Sequence, residues 1–556
     1  MSEGSGRQSG TTGGARPAGP DWVGDWSGRR AALSPERVGL VDGSSGREYT
    51  YAELNDRAVR TARLLRSADV GKGDRVVTLS RNRPALVDLF FATGKIGAVL
   101  APLSHRLAPP EVSELVADTD PTAVVVEPGS ADLVTDALSD ADVDIDDTRV
   151  FVVGDDTGAV ETAADDLDGE PFEEARSRVG TGRDTTENGA TEADACPGEG
   201  DLDRPEVSLS DPHLFLHTGG STGTPKQTVI PHRAVYWNSM TTIAAWNLRG
   251  DDVTPMPFPL FHTGGWNVLT VPLFHVGGTV VIAREFDPGR VLDVVDDREA
   301  TVLVAVPAVL RMMSEHDAWA DTDLSSLRFA KSGGGPCRRS VLETWWDRGV
   351  DLSQGYGLTE CGPNNFAMPD DWPREKADAV GVPAPHVSAR IVDADGEPVD
   401  RGAVGELELS SPAAADRYWN APAETAETFG DGWVSTGDLA RVDDDGYYHI
   451  EGRKKNMYVS GGENVFPAEI ENALTDHPKV REAVVIGVPD DTWGTVGKAV
   501  VQGDDSLTLT ELRAFLDGRL AGFKHPRHLA FVEEFPHSGP SKIDREAVRE
   551  RFGGQR

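Results

Sequence analysis

Basic charge, and lysine above all, is what this sequence has least of. Against 92 acidic residues it sets 54 basic ones, a formal net charge of −38. That balance argues against nucleic acid or an anionic membrane as the main partner, because long-range repulsion would oppose the encounter. Lysine is scarce even beside arginine. An acidic, lysine-poor surface keeps a protein hydrated in concentrated salt, where repulsion is screened to a few Å, so a salt-rich cytoplasm is the expected setting. Cysteine is nearly absent too. Cys196, Cys337 and Cys361 have neither disulfide-framework nor zinc spacing, which suits a reducing compartment. No run of about 18 apolar residues exists, so no stable membrane insertion is expected. The Gly/Ser-rich start, Met1 to Pro20, lacks an apolar stretch and reads as a disordered tail rather than a secretory signal.

What remains is ample for folding. A chain of 556 residues with 38% hydrophobic content exceeds one core, and two or more domains are expected. From residue 30 to 150, apolar runs alternate with helical stretches. Thr50 to Ser67 and Pro84 to Leu100 read as helices; Arg75 to Leu79 and Ala123 to Val126 read as strands. Alternation of this kind predicts an α/β fold with parallel sheets covered by helices. From Gly154 to Asp211 the composition turns to Asp, Glu, Gly and Thr, so the stretch at about 160–208 is expected to be a solvated insertion.

The chain is organised around the stretch that follows. Thr218, Gly219, Gly220, Ser221, Thr222, Gly223, Thr224, Pro225 and Lys226 come directly after the apolar run Leu214 to Leu216. Glycines admit close backbone approach, successive N–H groups form a concavity for anions, and the lysine adds a point charge. A polyphosphate is the natural ligand. Pro225 and Gln227 flank Lys226, which departs from a Walker A loop. Gly219 to Gly223 fits the Gly-x-Ser-x-Gly nucleophile elbow, but Pro225 and the β-branched Thr228, Val229 and Ile230 predict an extended exit rather than the helix an elbow needs.

Further along lie Phe258 to Trp266, with His262 before Gly264 and Gly265, and a strand ending in Ser332, Gly333, Gly334 and Gly335. Then come Gln354, Gly355, Tyr356, Gly357, Leu358, Thr359 and Glu360, then Ser435 to Leu439 with Asp438, then Arg453 and Lys455, then Gly461 and Gly462, and last Lys542 before Ile-Asp-Arg. These stretches, in this order, resemble the adenylate-forming superfamily, which contains acyl- and aryl-CoA synthetases. The resemblance runs from roughly residue 25 to 550. It implies a large N-terminal domain (21–454) with parallel-rich sheets and a β-barrel-like subdomain, and a small mobile α+β domain (455–556).

By the same resemblance Thr218 to Lys226 bind the β- and γ-phosphates of ATP and Glu360 holds Mg²⁺. Thr359 and Lys542 serve the α-phosphate, and Gly333 to Gly335, with Gln354 to Gly357, line the adenine. Asp438 and Arg453 take the ribose, His262 gates the carboxylate pocket and Lys455 is the hinge. Gly461, Gly462, Trp493, Phe523 and Arg527 match positions that meet coenzyme A. The expected reaction joins a carboxylic acid to coenzyme A through an acyl-AMP; the alternative is an adenylating enzyme that loads another thiol or amine. Its partners would be small molecules, with homodimerisation left open. The pocket stretches, Phe258 to Trp266, Val304 to Val309 and Gly333 to Gly335, contain no carboxylate or arginine, so an apolar acid is expected. Four rival classes remain in view. A serine hydrolase would use Ser221. A peptide-synthetase module would want a carrier domain after residue 556 and an aspartate within Thr263 to Asn267. A luciferase-like oxygenase or a non-catalytic nucleotide binder completes the set.

Overall fold

The helix expected from Thr50 forms over Tyr51–Ser67, and a reciprocal cap explains its start. Glu53 N–H donates to Thr50 Oγ1, and Thr50 N–H donates to the Glu53 carboxylate at 2.8 Å. The next helix, Pro84–Ile96, is buried on every side and ends where Gly97 turns left-handed at φ 70°, so Leu100 belongs to the strand Val99–Leu103 instead. These details come from a computed structural model that describes residues 22–140, 148–179, 202, 204–218, 225–490, 492–537 and 543–554.

The largest sheet has eight strands in the order Arg417–Tyr418, Lys226–Pro231, Pro212–Thr218, Val99–Leu103, Arg75–Leu79, Ala123–Val126, Arg149–Val152 and Glu170–Pro171. Its centre is parallel and covered on both faces, which is why its strands read as unbroken apolar runs. One edge differs. Pro212–Thr218 and Lys226–Pro231 form an antiparallel hairpin, with Thr218 opposite Lys226, and Arg417–Tyr418 returns from far along the chain to pair with Val229 and Thr228.

The expectation of a solvated insertion across 160–208 is corrected for its first part. Thr157–Asp166 and Phe172–Arg178 are helices, Glu170–Pro171 extends the large sheet, and Phe172 is fully buried. Arg176 reaches Asp88 at 2.6 Å inside the fold, so an acidic composition hid a segment anchored by one aromatic and one arginine. Residues 180–201 and 203 of that stretch lie outside the described residues, as does the tail before Trp22.

Three further sheets and the short pair Phe366–Ala367 with Val382–Pro383 complete the large unit among the described residues. Val253–Met256, Thr279–Ile282, Val38–Asp42 and Glu48–Thr50 make one. Val302–Ala305, Phe329–Ser332 and Leu352–Gln354 make a parallel three-stranded sheet whose alternate residues face two separate cores. Antiparallel strands Ser388–Val392, Gly405–Ser410, Trp433–Val442 and Tyr448–Arg453 supply the barrel-like subdomain. Beyond Lys454–Asn456, the chain builds two apolar cores of its own on the hairpin Val480–Asp490 and Gly494–Gly503, with His528–Phe531 parallel beside it.

Buried histidines give this fold an acid limit. His213 and His232 stack at 4.2 Å between ring centroids, and burial holds His213 down to about 4 and His232 well below its ordinary value, with His213 and Lys72 adding to the latter. Burial likewise takes His217 to about 3 and His275 to about 4. An unfolded histidine titrates near ~6.5, so the unfolded chain binds more protons than the folded one below that pH. Stability is full above about pH 6.5 and falls as pH drops toward 4. Thermal unfolding midpoints measured from pH 7.5 to 4.5 should decline through that window and decline less in His232→Phe; parallel curves would remove the stacked pair as the cause.

Candidate active site

The hairpin fixes the base of the phosphate loop. Thr218 and Lys226 face each other across two paired strands, so the chain leaves the loop as a strand. A nucleophile elbow needs a helix there, and the Ser221 hydrolase geometry is thereby removed. Gly219, Gly220, Ser221, Thr222, Gly223 and Thr224 themselves lie outside the described residues, as does Lys542. Lys226 Nζ lies 5.4 Å from the centre of the Tyr418 ring and 3.7 Å from Glu424.

Tyr418 links this hairpin to Glu360. Its hydroxyl donates to Glu360 Oε1 at 2.8 Å, and the Glu360 carbonyl accepts from Ala415 N–H. One carboxylate, half-buried and aimed by a phenol, fits Mg²⁺, which takes one or two protein carboxylates and completes its shell with ligand phosphates and water. Sequence reasoning missed Tyr418 because nothing in Arg417–Tyr418 announces a functional position; its place is set by the long-range strand pairing.

Three separated stretches converge at the barrel-like subdomain. The hydroxyl of Tyr356 donates to Asp438 Oδ2, and Arg453 Nε meets Asp438 Oδ1 at 2.7 Å, with Asp438 and Arg453 paired across adjacent strands. Burial, and then the Asp438 charge, pushes the Tyr356 phenol well above its ordinary value, so it stays a donor. Thr359 and Glu360 follow in the same loop, while Gly357 is forced by the Pro363 backbone, which passes within 2.1 Å of where a Cβ would sit. The Gln354 side chain accepts from Cys337 N–H at 2.8 Å and donates to Ala377 carbonyl at 2.6 Å, and so braces the glycine turn. No atom approaches a Cβ built on Gly333 or Gly335, and only Val306 touches one on Gly334, leaving room along that turn.

His262 packs on Phe261 and lies 5.9 Å from His217, the residue just before the phosphate loop. The sequence reading of the pocket also passed over Lys331. It is buried on the strand that ends in the glycine turn, a lone cation in an apolar run, and that contrast was the available signal.

Lys455 is exposed within the single turn Lys454–Asn456, and its neighbour Lys454 reaches Glu406 at 2.7 Å. In the C-terminal part, Gly461 (φ 60°) and Gly462 (φ 92°) turn the hairpin Tyr458–Val465. The Trp493 ring lies 2.4 Å from a Cβ on Gly461, and Arg527 sits over that ring at 5.0 Å. Trp493 and Phe523 are 40% and 38% exposed, which is high for such side chains.

The comparisons with known proteins agree with this geometry. Residues 28–419 match the profile of the AMP-binding enzymes, and residues 469–542 that of the AMP-binding enzyme C-terminal domain. A feruloyl-CoA synthase from an Amycolatopsis species is 37% identical over 96% of this chain and 99% of its own. An indoleacetate–CoA ligase from Aromatoleum aromaticum is 35% identical over 95% of this chain and 97% of its own. Among solved structures, ATP-bound MatB from Rhodopseudomonas palustris superposes with a TM-score of 0.81 at 28% identity, covering 96% of this chain and 99% of MatB.

Proposed function

The chain belongs to the AMP-binding enzyme family, and from that premise we propose that it activates an apolar carboxylic acid, aryl or fatty, for transfer to coenzyme A. It is an acid–thiol ligase that uses ATP. A carboxylate resists attack because its leaving group would be oxide. Attack of the acid's carboxylate on the α-phosphate of ATP expels pyrophosphate and forms an acyl-AMP anhydride. AMP is then the leaving group, and the thiol of coenzyme A displaces it to give the thioester.

The observation that carries this reading is the meeting of Tyr356, Asp438 and Arg453 beside an open glycine turn. Asp438 would accept from ribose hydroxyls, as the acidic residue of a dinucleotide site does, and Tyr356 and Arg453 hold its two oxygens in place. Thr218 to Lys226 would cradle the outer phosphates, Thr359 and Lys542 would neutralise the α-phosphate, and His262 would admit the acid. Glu360 would hold Mg²⁺, which would supply further neutralisation of phosphate charge. Such steps depend mostly on positioning and charge. For the second step, the C-terminal part would rotate about Lys455 and present Gly461, Gly462, Trp493, Phe523 and Arg527 to coenzyme A. The domain division at 454/455 belongs to the same proposal. The named relatives act on ferulate and indoleacetate, which places aryl acids first in the test.

ATP–pyrophosphate exchange measured with acids from acetate to palmitate, and with benzoate and cinnamate, tests the reading. Each buried methylene is worth about 0.8 kcal/mol, so kcat/KM should climb with apolar size until the pocket is full. AMP and acyl-CoA should accumulate in equal amounts once coenzyme A is added. A preference for acetate, an amino acid or succinate would overturn the choice of acid; exchange without thioester would overturn coenzyme A as acceptor.

A further inference from the structure

The three-stranded parallel sheet that ends in the glycine turn carries a rank of side chains with an unusual member. Val304, Lys331 and Ser353 lie side by side in register. Strand alternation puts them on the face that carries Val302 and Phe329, opposite the face of Leu303, Ala305, Ala330 and Leu352. Two residues further on, the same face carries Val306, Gly333 and Gly355. The ladder persists that far, since Gly333 N–H donates to Ala305 carbonyl and Gly355 N–H to Ser332 carbonyl. Nothing lies within 4 Å of a Cβ on Gly333, and one on Gly355 meets a single carbonyl at 3.8 Å. Two neighbouring strands therefore lack side chains where the turn opens. Lys331 and Ser353 lie two residues inward of that gap on the same face.

Lys331 is short of partners for so buried a cation. Its one hydrogen bond among the described residues goes to Ser353 Oγ at 3.1 Å, which leaves two ammonium donors unused. The rings of Phe329 and Trp246 wall it at 5.1 and 5.5 Å. Trp246 Nε1 is itself buried without a partner. Trp246 ends the helix His232–Trp246, two turns after Asn238 and one after Thr242 on one face of that helix. Asn238 donates to the Asn267 carbonyl beside the His262 stretch. That face connects the carboxylate end of the pocket to the lysine. Buried donors without acceptors are costly unless a ligand supplies one.

We propose that Lys331 forms the floor of the acid's pocket and donates to an oxygen at the far end of the substrate, so that the preferred acid is an aryl acid bearing a phenolic hydroxyl. The proposal rests on the ligase reading above and narrows its substrate. The distance suits it: two strand residues span roughly 6.6 Å, about the reach of one substituted benzene ring laid over Gly333 and Gly355. The aromatic walls suit a ring as well. Burial lowers the Lys331 amine to about 8, which makes its ammonium a stronger hydrogen-bond donor than an ordinary lysine's. Trp246 Nε1 is the second donor for the same oxygen.

Measuring kcat/KM for 4-hydroxycinnamate and cinnamate in the ATP–pyrophosphate exchange assay tests this. The wild type should favour the hydroxylated acid by about tenfold or more, since a site built to bond a hydroxyl discriminates strongly against its absence. Lys331→Met should abolish that preference by slowing 4-hydroxycinnamate alone, with cinnamate within about threefold of wild type. Trp246→Phe, which keeps the ring and removes Nε1, should reduce the preference partway and covers the case in which Lys331→Met does not fold. Equal loss on both acids, a wild-type preference for cinnamate, or a preference for a dicarboxylate would overturn the role of Lys331 and leave the ligase reading intact. Absence of exchange with every acid would instead overturn the ligase reading.

Discussion

Replacing Lys542 by alanine should slow acyl-AMP formation by about 10²–10³-fold or more while leaving thioester formation from supplied acyl-AMP and coenzyme A within a few-fold of wild type. The asymmetry follows from charge. Negative charge builds on the α-phosphate oxygens only while pyrophosphate departs, and a cation aimed there stabilises that transition state more than the ground state. Loss of one well-placed neutral donor already costs ~2.7–4 kcal/mol of barrier, and a full charge should cost at least as much. In the thioester step AMP leaves already formed, so the same lysine has little to neutralise. Pyrophosphate exchange reports the first half-reaction, and AMP release from synthetic acyl-AMP with coenzyme A reports the second. Equal loss in both would remove the assignment.

Asp88→Ala should destabilise the large unit by roughly 3–5 kcal/mol, the range for breaking a buried ion pair by deleting one partner. Asp88 is completely buried on the helix Pro84–Ile96. It takes Arg57 in a two-pronged bond (Nε to Oδ1 at 2.9 Å, Nη2 to Oδ2 at 2.5 Å) and Arg176 at 2.6 Å. Removing it leaves two guanidinium groups facing each other away from water. Although burial alone would lower it, the Asp88 charge raises the pKa of Arg57 above its ordinary value, and the substitution removes that support. Urea unfolding monitored by tryptophan fluorescence should show the first transition moved to lower denaturant. A shift worth less than about 1 kcal/mol would mean that Glu173, already near both arginines, takes over.

What the sequence disclosed and what it hid divide along physical lines. Elements whose causes are local were legible: the capped helix at Thr50, the strand Arg75–Leu79, and the parallel centre of the large sheet announced by Ala123–Val126. The meeting of Tyr356, Asp438 and Arg453 was anticipated only as separate motifs, because nothing short-range joins residues in different strands. Phe172 and Arg176 were misread because composition averages over a window, and two anchoring side chains are lost in an acidic one. Tyr418 was passed over because its contact with Glu360 comes from a distant strand partner, and the bonds of the Gln354 amide inside the fold are equally invisible at short range.

The return of Arg417–Tyr418 to the edge of the large sheet sets an order of events during synthesis. Thr228 and Val229 emerge from the ribosome long before the residues that pair with them. At roughly 5–20 residues per second, the gap lasts on the order of ten seconds or more. Throughout it the Lys226–Pro231 strand presents an unsatisfied row of N–H and C=O groups, the kind of edge that invites association with a neighbouring nascent chain. Slow translation at low temperature lengthens that exposure, and holding chaperones shorten its consequences. Once Tyr418 docks, the edge closes and Glu360 receives its hydroxyl in the same event, so a chain truncated before residue 417 would emerge both adhesive and inactive.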